Sequence, residues 1–128
     1  MDNNKFIEAK KYIEKMCNVV EIEKPERLEI FERSQLEVIF EGLLSGINCI
    51  DYFIKNNSFN DFQMDEILDG MRHNIDYTLY AKESFDWKKM LIIKNLLLNG
   101  FNEEFLTATG LLSDKKSWME LNYTARFL

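Results

Sequence analysis

The chain has 128 residues, 46% apolar and 30% charged, with a net charge of −6 at pH 7. That length supports one domain with a real core and excludes two comfortable ones, and the composition is globular rather than disordered. No apolar run approaches the ~20 residues that span a bilayer; Leu91–Leu98 is broken by Lys94 and Asn95.

The N-terminal stretch Met1–Lys11 lacks the continuous apolar core of a signal peptide, so a cytoplasmic location is expected. Cys17 and Cys49 are isolated, without CxxC spacing, and read as reduced thiols. The glycosylation patterns at Asn56 and Asn122 are then chance matches. Charge is unevenly spread. Residues 31–84 carry ten acids and four bases, whereas residues 1–30 and 85–128 are close to balanced at −1 and +1. An acidic chain without a basic stripe is repelled by phosphate backbones, which argues against direct nucleic-acid binding.

In chain order, Phe6, Ala9, Ile13 and Met16 fall at helical spacing and predict a helix from about Asn4 to Cys17. Residues 18–24 alternate weakly and fit either a connector or a short strand. Pro25 suits the first turn of a short helix over Pro25–Phe31, because its missing N–H costs nothing there. Residues 1–30 thus read as a helical N-terminal cap.

Three copies of one frame follow, at residues 31–58, 59–84 and 85–110. In the first, Leu36, Ile39, Phe40, Leu43 and Ile47 share one face of a helix from about Arg33 to Ser45. Gly46 is placed to end it in a left-handed turn, and a shorter helix, about Asn48–Lys55, comes next. In the second, Asn60 caps a helix to about His73 with Met64, Ile67, Leu68, Met71 and Ile75 inward. Asn74 takes the stop position of Gly46, and Asp76 caps a short helix through Tyr80 and Ala81. In the third, Asp86 caps a helix to Asn99, Gly100 stops it, and Asn102 caps Glu103–Thr109.

The copies correspond position by position: Gln35, Gln63 and Lys89; Leu36, Met64 and Met90; Ile39, Ile67 and Ile93; Ile47, Ile75 and Phe101; Tyr52, Tyr80 and Leu106. The period is 28 residues from Gln35 to Gln63 and 26 from Gln63 to Lys89. A long helix, a short helix and two tight turns fill it, and such a unit buries its apolar face only against neighbours. Gly42 and Gly70 sit mid-helix at a cost of about 1 kcal/mol each, which implies close approach of a neighbouring helix or of the short helix in the same unit. Residues 111–128 read as a C-terminal cap, a helix over about Asp114–Arg126 with Ser113 as N-cap. The predicted fold is therefore all-α, a single domain with a small stack of about three long-helix/short-helix units between capping helices.

The frame from Phe59 to Ala81, F-x-x-x-Q-M-x-x-I-x-x-G-M-x-x-N-I-D-x-x-x-Y-A, resembles a short helical repeat of low-GC bacterial and mobile-element proteins. Gln63, Met64, Glu66, Ile67, Gly70, Asp76, Tyr80 and Ala81 match its consensus. The first copy departs at Phe53, where alanine is expected, and the third lacks the Gln, Gly, Asp and Tyr-Ala positions. The resemblance implies a packing module and no catalytic motif.

Residue types exclude several chemistries. His73 is the single histidine, so a zinc site built on soft ligands is not available, and no catalytic triad is evident. There is no GxxxxGK(S/T) or GxGxxG loop to cradle phosphate and no calcium-loop spacing. No catalytic residue, metal ligand or cofactor is expected. The candidate partner-binding residues are Glu37, Glu41, Asp65, Glu66 and Asp69, acids at i and i+4 on two successive long helices. Like charges at that spacing weaken a helix slightly, and a basic partner turns that cost into affinity. The expected function is a non-enzymatic protein–protein interaction protein with an acidic face. Its most specific form is a phage or mobile-element inhibitor of a nucleic-acid-binding defence complex, of the anti-CRISPR kind. The alternative is a structural or regulatory domain that homo-oligomerises through its aromatic C-terminal helix.

Overall fold

The computed structural model describes residues 3–19 and 25–126, and among them all regular structure is helical. The α-helices are α1 (Asn3–Val19), α2 (Arg33–Leu44), α3 (Ile50–Lys55), α4 (Asp61–Arg72), α5 (Trp87–Leu98), α6 (Glu103–Ala108) and α7 (Trp118–Ala125). Single 3-10 segments occupy Pro25–Ile30 and Tyr77–Leu79. The protein is all-α. Three times a 12-residue helix (α2, α4, α5) is followed by a shorter one.

The starts of the long helices are set by side chains. Asn60 Oδ1 accepts from the N–H of Gln63 at 2.8 Å, and Gln63 Oε1 accepts from the N–H of Asn60 at 2.9 Å, a reciprocal capping box. Gln35 Oε1 accepts from the N–H of Glu32 at 2.7 Å in the same way, which is why α2 starts at Arg33. Asp86 caps α5 through the N–H of Lys88 at 2.8 Å, and Asn102 caps α6 through that of Phe105 at 2.9 Å.

The stops repeat as well. Gly46, Asn74, Gly100 and Gly110 all have positive φ, at 80°, 55°, 93° and 74°. After each, an apolar residue reaches back: Ile47 N–H to Gly42 O, Ile75 to Gly70, Phe101 to Leu96 and Leu111 to Leu106, at 3.0–3.3 Å. Each left-handed residue also donates to the carbonyl three before it. This pair of bonds closes the last helical turn and satisfies carbonyls that would otherwise lack donors.

The chain divides into two compact units, Met1–Met64 and Asp65–Leu128. In the first, α1 packs on α2: the Tyr12 ring meets Phe40 edge-on at 5.6 Å, and the Arg33 guanidinium lies 4.8 Å from the Phe6 ring centre. Those pairs advance together, so the two helices run in the same direction. Ala9, Ile13, Leu36, Ile39, Ile50 and Phe53 are buried there. Cys49 is a buried free thiol whose Sγ is 3.6 Å from the carbonyl of Ile39.

In the second unit Ile67, Leu68, Tyr80, Phe85, Met90, Ile93, Leu106 and Leu121 are buried, and α5 packs on α7. Gly70 is explained here. The Tyr80 hydroxyl donates to the Glu66 carbonyl at 2.6 Å, and its oxygen occupies the space that a Cβ on residue 70 would need. The close approach thus comes from the short segment of the same repeat.

Two expectations are corrected. The final helix starts at Trp118 with Ser117 as cap, its Oγ accepting from Glu120 N–H at 3.4 Å, rather than at Asp114 with Ser113. Ser113 caps only a turn, through Lys115 N–H at 3.2 Å, and its carbonyl is taken by Lys89. The short helix after Asp76 is one 3-10 turn, Tyr77–Leu79, because Tyr80 must turn inward to reach α4. Of the open segment 18–24, Asn18 and Val19 finish α1, and residues 20–24 lie outside the described residues.

Candidate interaction surfaces

The acidic residues singled out in the sequence fall in both units. Glu37 and Glu41 lie on α2, one turn apart. Glu41 is exposed, whereas Glu37 is partly covered and sits 3.9 Å from Arg33 Nε. Asp65, Glu66 and Asp69 lie on α4, and only Asp65 of these is exposed. Periodicity predicts Asp69 to project outward beside Asp65, but Asp69 and Glu66 both turn to a buried cation.

That cation is Lys94, from the middle of α5. Its ammonium is 2.7 Å from Asp69 Oδ2 and 2.8 Å from Glu66 Oε2, and its side chain is only 8% exposed. Burial pushes the Lys94 pKa down, but hydrogen bonds and charge from Asp69 and Glu66 outweigh it and hold the ammonium above its ordinary value. Burial likewise raises the Asp69 pKa, and Lys94, His73 and Arg72 together bring it below the usual carboxylate value. His73 Nδ1 donates to the Asp69 carbonyl at 2.8 Å and lies 3.5 Å from Asp69 Oδ1. A carbonyl only accepts, so the proton is placed on Nδ1. The cluster is an ion-paired clasp between α4 and α5.

Lys89 is the second buried cation. Its Nζ donates to the Ser113 carbonyl at 2.6 Å and stands 3.8 Å from the centre of the Phe85 ring. Burial lowers its pKa; Asp114 opposes that, Lys82 adds to it and Glu120 opposes it, leaving the group below the ordinary lysine value. Lys89 occupies the repeat position of Gln35, whose Nε2 donates to the Phe59 carbonyl at 2.8 Å, also 24 residues ahead. A donor one turn into the long helix therefore anchors the segment that follows the short helix, and lysine replaces glutamine without changing that role.

The second apolar side of α5 is not closed over. Trp87, Lys88, Leu91 and Ile92 form one wall of a groove of about 290 Å³ whose other wall is Trp118 and Asn122 of α7. A second hollow of about 250 Å³ shares Ile92 and Asn122 and continues past Asn95 and Asn99 to Ala125. Trp118 faces Trp87 and Ala125 faces Asn99, so α7 runs beside α5 in the same direction. The Lys88 ammonium is 4.6 Å from the Trp118 ring centre and 5.8 Å from that of Trp87. Met119 and Tyr123, on another side of α7, are 62% and 65% exposed.

Sequence reasoning gave Trp87, Lys88, Asn95 and Asn122 no binding role. The available signal was the excess of apolar residues in α5 over what one core-facing stripe requires. Among the described residues, no three His, Cys, Asp or Glu side chains converge as a metal site. No helix among them is long and apolar enough to cross a membrane. Comparison of the chain with protein-family models, with curated proteins and with solved structures finds no match.

Proposed function

We propose that the protein is a non-enzymatic protein–protein interaction module that engages a basic protein surface through carboxylates on its long helices. The observation that carries this reading is the sorting of acids on α2 and α4. Glu66 and Asp69 are consumed by Lys94, whereas Glu41 and Asp65 stay exposed, with Glu37 at the edge of solvent. A surplus of negative charge, −6 over the chain, adds long-range attraction to a basic partner and raises the association rate. In its most specific form the protein is a cytoplasmic, phage- or mobile-element-encoded inhibitor of a nucleic-acid-binding defence complex, of the anti-CRISPR kind. Helix carboxylates then take the place of backbone phosphates in a basic channel. The resemblance of residues 59–81 to a mobile-element repeat supports that form. No cofactor enters this mechanism.

The test is affinity capture from a host lysate with the native protein and with a Glu37→Lys, Glu41→Lys, Asp65→Lys variant, read by mass spectrometry. Glu66 and Asp69 are left unaltered because reversing them would expel Lys94 and lower stability. The reading expects a captured partner with a basic surface that the variant loses at an unchanged melting temperature. Identical capture by both proteins overturns it.

A second reading, homo-oligomerisation through α7, is favoured by the exposure of Met119 and Tyr123 one turn apart on that helix. Light scattering across a concentration series decides it, and a strict monomer rejects it.

A further inference from the structure

We propose that the groove between α5 and α7 is a binding site for an extended peptide segment, one carrying a large apolar side chain next to an acidic residue. This surface is separate from the α2 and α4 carboxylates, and the inference does not depend on their role. Three features of the groove select that occupant.

The first is its division into two chemically different halves. Trp87, Leu91 and Trp118 make an apolar half that accepts an aromatic or branched aliphatic side chain. Asn95, Asn99 and Asn122 line the other half. An asparagine amide offers both a donor and an acceptor, the pair that a peptide unit of an extended chain presents. Among the described residues the Asn95 and Asn122 side chains have no intramolecular partner, whereas Asn99 Nδ2 donates to the Asn95 carbonyl at 2.7 Å.

The second is spacing. Side chains four apart on a helix stand about 5–6 Å from each other, and alternate residues of an extended chain repeat at roughly 6.6 Å. Asn95 and Asn99 therefore meet successive same-side peptide groups of a strand-like segment, while Asn122 reaches it from α7. A purely apolar helix docked in this groove would bury the Asn95 and Asn122 amides without partners, which is unfavourable. The Asn-lined half thus favours exposed backbone over a second helix.

The third is charge. Among the described residues Lys88 is the one ionisable group lining either hollow, and its ammonium stands over the Trp118 ring. A carboxylate beside the apolar anchor pairs with it at the mouth of the apolar half, and a basic residue there is repelled.

Trp87 and Trp118 are the only tryptophans, so intrinsic fluorescence reports on the apolar half directly. The experiment titrates the full-length protein with three capped octapeptides in a Gly/Ser background. One carries a central Asp-Asp-Phe, one Lys-Lys-Phe and one Asp-Asp-Ala. The Asp-Asp-Phe peptide is expected to shift and saturate the emission, with at least tenfold weaker binding of the other two. Lys88→Glu should invert the preference between the acidic and basic peptides. Asn95→Ala with Asn122→Ala should weaken the acidic peptide about tenfold while the melting temperature holds. These three positions are surface residues, so the variants test recognition rather than folding. Failure of the Asp-Asp-Phe peptide to bind at millimolar concentration overturns the proposal. So does equal binding of all three peptides, affinity indifferent to the asparagine changes, or closure of the groove by a second copy of the chain in light scattering.

Discussion

The hydroxyl of Tyr80 stands where a side chain at position 70 would begin, and it donates to the carbonyl of Glu66 one turn earlier on the same helix. Glycine in mid-helix is the condition for that contact. The Tyr77 Cβ would also lie 2.9 Å from a Cβ at residue 70, so the whole 3-10 segment depends on the gap. Gly70→Ala should therefore destabilise the protein by about 2–3 kcal/mol despite the better helix propensity of alanine. Tyr80→Phe should recover part of the loss in the Gly70→Ala background and none in the native one. A double-mutant cycle by urea denaturation measures the coupling, and additive effects would refute the contact.

Lys94 gives a second prediction, with a pH signature. The folded Asp69 pKa is depressed, so its contribution is present above the ordinary carboxylate value of 3.8 and is lost as pH falls through the folded value. The folded Lys94 pKa is raised, so its contribution is complete below 10.5 and is lost as pH rises through the folded value. Between those limits the clasp stabilises by a constant amount. Lys94→Met leaves two carboxylates without their cation and should cost about 2–4 kcal/mol at pH 7, less than a fully buried pair because Asp69 is 31% exposed. The difference between native and variant should shrink in acid, as pH falls through the depressed Asp69 value. Denaturation midpoints from pH 3 to 9 provide the check.

Lys89 has the opposite sign at alkaline pH. Its folded pKa is depressed, so the unfolded chain binds more protons in the window below 10.5 and stability rises with pH there. Lys89→Gln installs the side chain that the first two repeats carry at this position and keeps a donor for the Ser113 carbonyl. It should be nearly neutral at pH 7 and abolish the alkaline rise. Lys89→Ala should cost about 1–3 kcal/mol, because it removes the bond to the Ser113 carbonyl and leaves the space of a buried side chain empty. Equal stability of the two variants would argue against the anchor.

At the helix stops, Asn74 alone among the four left-handed residues carries a side chain. Asn74→Gly should stabilise by roughly 0.5–1 kcal/mol and raise the melting temperature by about 2–4 °C. Gly46→Ala or Gly100→Ala should cost about 1 kcal/mol. Calorimetry on the three single variants compares them directly.

What the sequence made legible was local chemistry. Asn60, Asp86 and Asn102 as caps, and Gly46, Asn74 and Gly100 as stops, are encoded within a few residues of where they act, and all six act as expected. Lys94 and Lys89 were not legible in that way. A charge in an apolar run reads as solvent-facing until its partners, 25 and 24 residues distant, are placed beside it. The α5 groove was hidden for the converse reason: its apolar residues read as core, and only the position of α7 shows that they line an opening. The start of α7 is ambiguous in the sequence because Ser113 and Ser117 are equally good caps; Ser117 Oγ caps the helix through Glu120 N–H, and Ser113 Oγ caps only a turn.

The four helix endings have a kinetic consequence. Each is completed by a residue only three positions past the helix, so a helix can finish as soon as that residue leaves the ribosome, without waiting for distant chain. Folding dominated by such short-range closures is fast, because little loop entropy is lost before contacts form. The slow steps are then the long-range docking of Lys89 and Lys94, which must lose water before they gain their partners. Substitutions at the stops should change how quickly the chain folds, and substitutions at the two lysines how long it stays folded.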